Sequence, residues 1–396
     1  MLWSEDTDEP LQFDVAALKR ISAERLERRE CVSITKLAEG SYNKVFLLTM
    51  DDDFECIARL ALPCYPRFKT ESEVATMKFL AEKTSIPVPK VYAWDSDANN
   101  AVGAEYILME RIPGITLSTI WNMLSLDEKK RIASQVVDIE LQLFSTSLDQ
   151  IGSLYMDHKD HTYYVGPIVI DPFFEGGRAS MDLDRGPWKT TRDFLNALIQ
   201  NETDYLSTHA TKLNDEQVQS SLQLCSKFKE VAHLFCPDNP SLERVSLRHS
   251  DLHMSNIMVE LSFDEKIEWR ISGIIDWEVS VTYPAWACAK VPRAFELGAE
   301  DEANGDSSQT DQKEFQELSE EAEILMYYKS EAGKRNEAFK AAMEEGRRCR
   351  IFRDKIILGR HDPSTICRWI QNIDGDGNSL HSVVEGSDSV VEKTND

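Results

Sequence analysis

Apolar positions near the N-terminus recur at helical spacing. Val15, Leu18, Ile21 and Leu26 fall near one face, behind Asp14, which is placed to cap the helix. The period then changes: segments 32–37, 44–50 and 54–60 read as three short strands, separated by Glu39-Gly40-Ser41 and by the acidic turn Asp51-Asp52-Asp53. Helical spacing returns over 70–82 through Val74, Met77 and Ala81, and Ile86-Pro87-Val88-Pro89 stops it because prolines exclude helix. Two further strands are predicted at 90–94 and 105–110, ending at Pro113-Gly114. Beyond them the chain turns mostly helical, most clearly over 127–143 through Ile132, Val136, Ile139 and Leu143. One interruption is expected, between Leu247 and Trp277, where runs 257–261 and 267–275 flank Asp264-Glu265 as a hairpin. The expected fold class is α+β, with a small antiparallel-sheet lobe over 13–112 and a larger, mainly helical lobe over 113–372. Residues 301–312 read as an acidic loop, and 374–396, without a core pattern, as a disordered tail.

At 396 residues the chain can hold two or three globular units of about 100–200 residues each. Its net charge is −25, but residues 1–9, 296–323 and 374–396 contribute −4, −10 and −5, leaving only −6 elsewhere. Acidity is thus peripheral, and it argues against nucleic acid or an anionic membrane as a partner held by bulk charge. No apolar run approaches the roughly 18 residues that span a bilayer, so no membrane span is expected. The first nine residues carry four acids and no Lys or Arg, which disfavours a signal or basic transit peptide in this chain. Eight scattered cysteines with no C-x-x-C pair fit a reduced, cytoplasmic setting.

The informative segment is Leu247-Arg248-His249-Ser250-Asp251-Leu252-His253-Met254-Ser255-Asn256, followed after the hairpin by Ile274-Ile275-Asp276-Trp277. His-x-Asp with an Asn five residues after the Asp is the catalytic-loop spacing of kinase-fold phosphoryl-transfer enzymes. There an Asp orients or accepts the substrate hydroxyl proton, while an Asn amide and a second Asp hold Mg²⁺ on the nucleotide phosphates. Dense negative charge on the transferred group needs hard cations, and Mg²⁺ prefers carboxylate and amide oxygens. Other parts come in the same order: a Gly-containing turn at Glu39-Gly40-Ser41, a strand cation at Arg59, a helix acid at Glu73 (or Glu71), and a strand ending in Pro113-Gly114.

With these parts in place, the chain resembles the aminoglycoside phosphotransferase family. Within it the similarity is greater to the fungal branch of altered inheritance of mitochondria protein 9. The blocks that carry the resemblance are Leu37-Ala38-Glu39-Gly40, Ile57-Ala58-Arg59-Leu60, Ser72-Glu73-Val74-Ala75-Thr76-Met77, Ile86-Pro87-Val88-Pro89-Lys90-Val91, Gly103-Ala104-Glu105-Tyr106, Leu247-Arg248-His249 and Ile275-Asp276-Trp277, within residues 13–295. The resemblance implies a bilobal protein-kinase-like fold that binds Mg-ATP in its cleft and phosphorylates a hydroxyl of a small molecule. It implies Asp251 as catalytic base, His249 as brace of its loop, Asn256 and Asp276 as Mg²⁺ ligands, and the backbone around Glu110 and Ile112 as the adenine hinge. Gly40, Ser41 and Asn43 would lie near the phosphates, and Arg59 with Glu73 would form the strand-to-helix pair. Leu2-Trp3 is similar to the tail end of a longer family leader, so any mitochondrial address is expected to be absent from this chain; a mitochondrial location is offered only as the alternative that the family resemblance implies.

Two departures matter: Arg59 stands where the family carries lysine, and the nucleotide turn has one glycine. They keep open a second reading, a catalytically weak pseudokinase that binds nucleotide as a scaffold, with Arg59 a surface ion pair. Singly, Asn256 reads equally as a turn-former, Asp276 as a helix N-cap, His249 as a hydrogen-bonded structural histidine, and His253 as solvent-exposed or substrate-facing. Glu278 reads as a partner of the metal site or a helix-start acid, and Trp277 as core. Asp182, Asp184 and the acids of 313–323 would attract a cationic acceptor, or form solvated faces.

Overall fold

The computed structural model describes residues 11–209, 213–263, 267–296, 311–360 and 363–371. The acidic stretch 1–9, the Asp264-Glu265 turn, residues 301–310 and the tail 374–396 lie outside the described residues.

Asp14 Oδ1 accepts the Ala17 amide at 2.8 Å and starts α1 (Val15–Arg25). Strands β1 (Cys31–Glu39), β2 (Asn43–Met50), β3 (Glu55–Ala61), β4 (Val91–Asp95) and β5 (Tyr106–Glu110) then form an antiparallel sheet in the order β1-β2-β3-β5-β4. Alternation along β3 assigns its two faces. Cys56, Ala58 and Leu60 are buried with Leu18 of α1 and with Leu48 and Met50 of β2. Ile57 and Arg59 point the other way, toward α2 (Phe68–Lys83), whose Val74, Met77 and Leu80 share a core with Ile107 and Met109. That core continues into the helical lobe without a break. Helix α2 also buries Lys69, Thr70, Ser72, Glu73 and Thr76, so it presents polar groups to the interior as well as apolar ones.

The lobes are linked at Pro113-Gly114. Gly114 has φ +99°, and a Cβ there would stand 2.2 Å from the Val259 carbonyl oxygen. Gly114→Ala should therefore lower stability by at least about 1–3 kcal/mol, the cost of a left-handed non-glycine residue, before the clash is relieved. A urea midpoint equal to wild type would refute this.

Past the link come β6 (Ile115–Thr116), the short α3 (Leu117–Ile120) and α4 (Leu126–Ser145), the last opened by a reciprocal Ser125/Glu128 capping box. Next are hairpin β7 (Ser153–Met156) and β8 (Tyr163–Gly166), then α5 (Thr191–Thr208) and α6 (Asp215–Val231). Strands β9 (Val245–Arg248), β10 (Ile257–Ser262), β11 (Glu268–Ile274) and β12 (Val281–Pro284) follow. The chain continues through α7 (Ala285–Cys288), α8 (Asp311–Arg335), α9 (Glu337–Glu345), α10 (Arg347–Leu358) and α11 (Pro363–Gln371). Among the described residues no helix is long and apolar enough to cross a membrane. A sheet-based N-terminal lobe over a mainly helical one is the α+β, bilobal kinase-like fold expected.

Three details differ from expectation. Among the described residues the helical lobe is interrupted by the β7–β8 hairpin and the β9–β12 ladder as well as by β10–β11. Strands of four residues are too short to show a period, and the β9 and β12 runs are buried throughout, so neither alternates. Asp311 and Gln312, expected in a loop, open α8. No helix follows Asp276, which excludes the N-cap reading; the next one, α7, starts at Ala285.

The ladders frame the site. β9 pairs with β12 through Arg248↔Val281, and β10 with β11 through Ile257↔Ile274. Residues 249–256 and 275–280 therefore emerge side by side, each anchored at both ends.

Candidate active site

The two loops are stitched together by one backbone bond and one from a side chain. Ile275 N–H donates to Asn256 O at 3.0 Å, and Ser250 Oγ to Val279 O at 2.7 Å. His249 is buried against Trp277 with ring centroids 4.6 Å apart; its Nε2 lies 3.1 Å from Ile275 O, and its Nδ1 accepts the Asp251 amide at 3.2 Å. Both ring nitrogens are thus spent on holding the loops, and burial lowers the pKa of the ring, so it stays neutral. Trp277 is fully buried, as expected of a core residue.

The Asp251 side chain is 40% exposed. Its Oδ1 accepts from Arg293 Nη1 at 2.7 Å, and its Oδ2 lies 3.4 Å from His253 Nε2. Partial burial opposes its charge, but His253 and Arg293 outweigh that and hold the carboxyl down at about 2. Asn256 is buried, its Nδ2 donating to Asp251 O at 2.9 Å, which leaves the amide oxygen for another partner. His253 is about one-third exposed (36%); in its neutral form Nδ1 accepts from Ser255 N at 3.2 Å, and Nε2 sits 3.2 Å from the Asn256 amide.

The Asp251 hydrogen bond raises the pKa of His253 above its usual value. The stabilisation from the charged ring is fully present below about 6.5 and is lost as pH rises through the folded pKa. The contribution of Asp251 is present above about 3.9 and is lost as pH falls toward about 2. The pair therefore stabilises most between these limits. In Asp251→Asn the NMR titration of His253 should return toward 6.5, and an unmoved midpoint would break the assignment.

On the sheet side Arg59, only 6% exposed, is surrounded by carboxylates. Nη1 donates to Glu73 Oε1 at 2.7 Å, while Nη2 reaches Asp276 Oδ1 at 2.6 Å and Glu278 Oε1 at 3.0 Å. Burial opposes its charge, but the three acids raise its pKa further, so it is always a cation. Burial lifts Glu73 above the usual carboxylate range against the pull of Arg59 and Lys69. For Asp276 the guanidinium outweighs burial and the pKa falls. The surface-pair reading of Arg59 is excluded. Glu278 starts no helix either; Lys69 Nζ donates to its Oε2 at 3.0 Å and Asn43 Nδ2 at 2.6 Å.

Gly40 and Ser41 lie exposed at the tip of the β1–β2 turn, outside this network, and Gly40 N–H donates to Asn43 O at 2.9 Å. Beside them Tyr42 donates to Asp171 of the helical lobe at 2.9 Å, and Tyr65 donates to the same oxygen. At the lobe link Glu110 N–H is committed to Lys90 O at 2.9 Å, and the Glu110 carboxylate accepts Lys90 N at 3.1 Å. Ile112, packed on Gly273, has no backbone hydrogen bond among the described residues.

Pattern reasoning over the sequence overlooked Lys69, although it precedes Glu73 by four residues and so shares its helix face. It also overlooked Arg293, which no spacing marks. Three of the acids put forward for a cationic acceptor have partners within the chain, and the side chains of 313–318 lie outside the described residues. Asp184 accepts Gly186 N and Trp188 Nε1, both at 3.0 Å; Glu320 pairs with Lys129 and Glu323 with Lys130.

Among the described residues no group of three or more His, Cys, Asp or Glu could hold a metal by itself. Mg²⁺ borne on phosphate oxygens needs only a few protein oxygens, and the Asn256 amide and Asp276 carboxylate are oxygen donors of the kind that would suit it. Arg59 Nε is a buried donor without a partner, left over for an anion.

A sheet lobe and a helical lobe, with a His-x-Asp loop facing a strand cation paired to a helix acid, define a kinase-like phosphotransferase architecture. The chain belongs to the phosphotransferase enzyme family, whose model matches residues 33–287. It is 31% identical over 319 residues to a subtelomeric hrmA-associated cluster protein of Aspergillus fumigatus, covering 67% of this chain and 61% of that one. It is 26% identical over 300 residues to altered inheritance of mitochondria protein 9, mitochondrial, of Yarrowia lipolytica, covering 66% and 52%. The chain thus spans about half to three fifths of these relatives' length. Among solved structures it is similar to aminoglycoside phosphotransferase APH(4)-Ia, at 15% identity and TM-score 0.49, covering 94% of this chain and 99% of that one.

Proposed function

We propose that the chain is an ATP-dependent phosphotransferase that moves the terminal phosphoryl group of Mg-ATP to a hydroxyl of a small molecule. The observation that carries this reading is the convergence of the Arg59–Glu73 pair, Asp276 and Asn256 beside an ionised, partly exposed Asp251. Residues 13–112 form the nucleotide lobe in this reading, and 113–372 the acceptor lobe.

In it Asp251 accepts a hydrogen bond from the acceptor hydroxyl and takes its proton late. A carboxylate with a pKa of about 2 is a weak base, so orientation outweighs proton abstraction in its contribution. Asn256 and Asp276 would hold Mg²⁺, which neutralises charge on the transferred group when bound. The free Nε of Arg59 would meet a phosphate oxygen, Gly40, Ser41 and Asn43 would line the phosphate side, and Ile112, rather than the Glu110 amide, would meet the adenine edge. The scaffold alternative is favoured by one observation, the Arg59–Asp276 contact, which occupies a metal-side carboxylate. Names of the fungal relatives support a mitochondrial location over a cytoplasmic one.

The test combines Tm with ATP consumption over a panel of metabolites and aminoglycosides. Ligand bound to the folded state should raise Tm by mass action. Absence of any Mg-dependent rise at millimolar ATP or GTP would sink the proposal; binding without turnover on any acceptor would favour the scaffold.

A further inference from the structure

Lys69, in the first turn of α2, is 1% exposed, and its ammonium has three acceptors: Glu278 Oε2 at 3.0 Å, Asn43 Oδ1 at 2.7 Å and Tyr42 O at 3.3 Å. Three donors meet three acceptors, which satisfies a buried cation fully. Two of those acceptors belong to the last residue of the β1–β2 turn and the first of β2, and the third is two residues beyond Asp276. Asn43 closes the triangle by donating to the same Glu278 oxygen at 2.6 Å.

The segment that carries Glu278 needs such support. Asp276 has φ 65° and Val279 φ 49°, both in the left-handed region, where a β-branched residue such as Val279 is strained. Between them the chain is held by Glu278, through Lys69, Asn43 and Arg59, and by Ser250 on Val279 O. Backbone strain of this kind persists only where the surroundings over-determine it.

We propose that Lys69 is a positioning residue for the nucleotide site. Acting through Glu278, it ties the turn over the phosphates to the strained turn that carries Asp276, so that the two keep one spacing. Lys69 touches no reacting atom in this role. It sets where Asp276 stands relative to Asn43, and hence whether a metal-bearing nucleotide is gripped from both sides. The inference rests on the phosphotransferase reading.

Lys69→Met, Glu278→Gln and the double variant are compared with wild type in two measurements. The first is affinity for Mg-ATP and for ATP in EDTA. Lys69→Met should weaken Mg-ATP at least about tenfold while changing metal-free ATP much less, and adding Glu278→Gln should cost little more, because both act through one contact. The second is hydrogen exchange in the nucleotide-free protein, where amides of 43–45 and of 275–279 should lose protection together. A purely structural lysine would lower Tm and leave the ratio of the two affinities unchanged. A folded Lys69→Met that keeps this ratio within about twofold of wild type, or deprotects one segment only, overturns the proposal. If Lys69→Met does not fold, Glu278→Gln, of nearly the same shape, must show both losses by itself, and its failure to do so is equally decisive. Wild type that binds no nucleotide would instead strike the phosphotransferase reading.

Discussion

Replacing Arg59 by alanine should destabilise the fold by about 3–5 kcal/mol, the scale for removing one partner of a buried ion pair. Glu73, Asp276 and Glu278 all lean on this guanidinium, and of the three it is Glu278 that Lys69 pairs with directly. The stranded carboxylates would fold only by taking up protons. Their pKa values would rise above the unfolded ones, so the variant should gain stability as pH falls from 7 toward 5 and lose it as pH rises. Arg59→Lys should lie between, because an ammonium cannot span three carboxylates as a planar fork does. Mg-ATP affinity in Arg59→Ala should fall by about 1.5–3 kcal/mol, the worth of a charge-assisted hydrogen bond. Urea titrations at several pH values and an ATP titration read these effects. An alanine variant as stable as wild type would mean that the cage does not form in solution.

Asp251→Asn should lower phosphoryl transfer by about 10²–10⁴-fold while Mg-ATP binding changes less than about twofold. The asparagine keeps the shape of the side chain but has no charge to orient a hydroxyl, and a side chain 40% exposed contributes little to the core. Asp276→Ala should show the opposite signature, with Mg-dependent nucleotide affinity lost along with turnover. Single-turnover assays beside equilibrium titration separate the two. Turnover that survives in Asp251→Asn would move the acceptor site elsewhere.

Much of the sheet lobe was legible because its elements obey simple periods. The Asp14 cap, the three leading strands and the Ile86–Pro89 stop each rest on local chemistry, and all appear within a residue or two of where the pattern places them. The catalytic-loop spacing was legible too, since His249, Asp251 and Asn256 lie within one loop. What escaped depends on contacts between distant segments. Lys69 pairs with a residue 209 positions away, and its i, i+4 spacing to Glu73 alone does not separate it from a solvated helix lysine. Arg293 reaches Asp251 across 42 positions. The β9–β12 ladder escaped because its strands are four residues long and buried on all sides, which removes the alternation that would announce them.

Asp171 binds Tyr42 and Tyr65 through a single oxygen, and these tyrosines stand before β2 and before α2. The seam works in parallel with Arg59–Asp276 and Lys69–Glu278, which bridge the same two lobes. Losing the Asp171 carboxylate alone would therefore leave the lobes tied by charge, and the tyrosines fix the angle at which the sheet meets the helices rather than whether the two stay together.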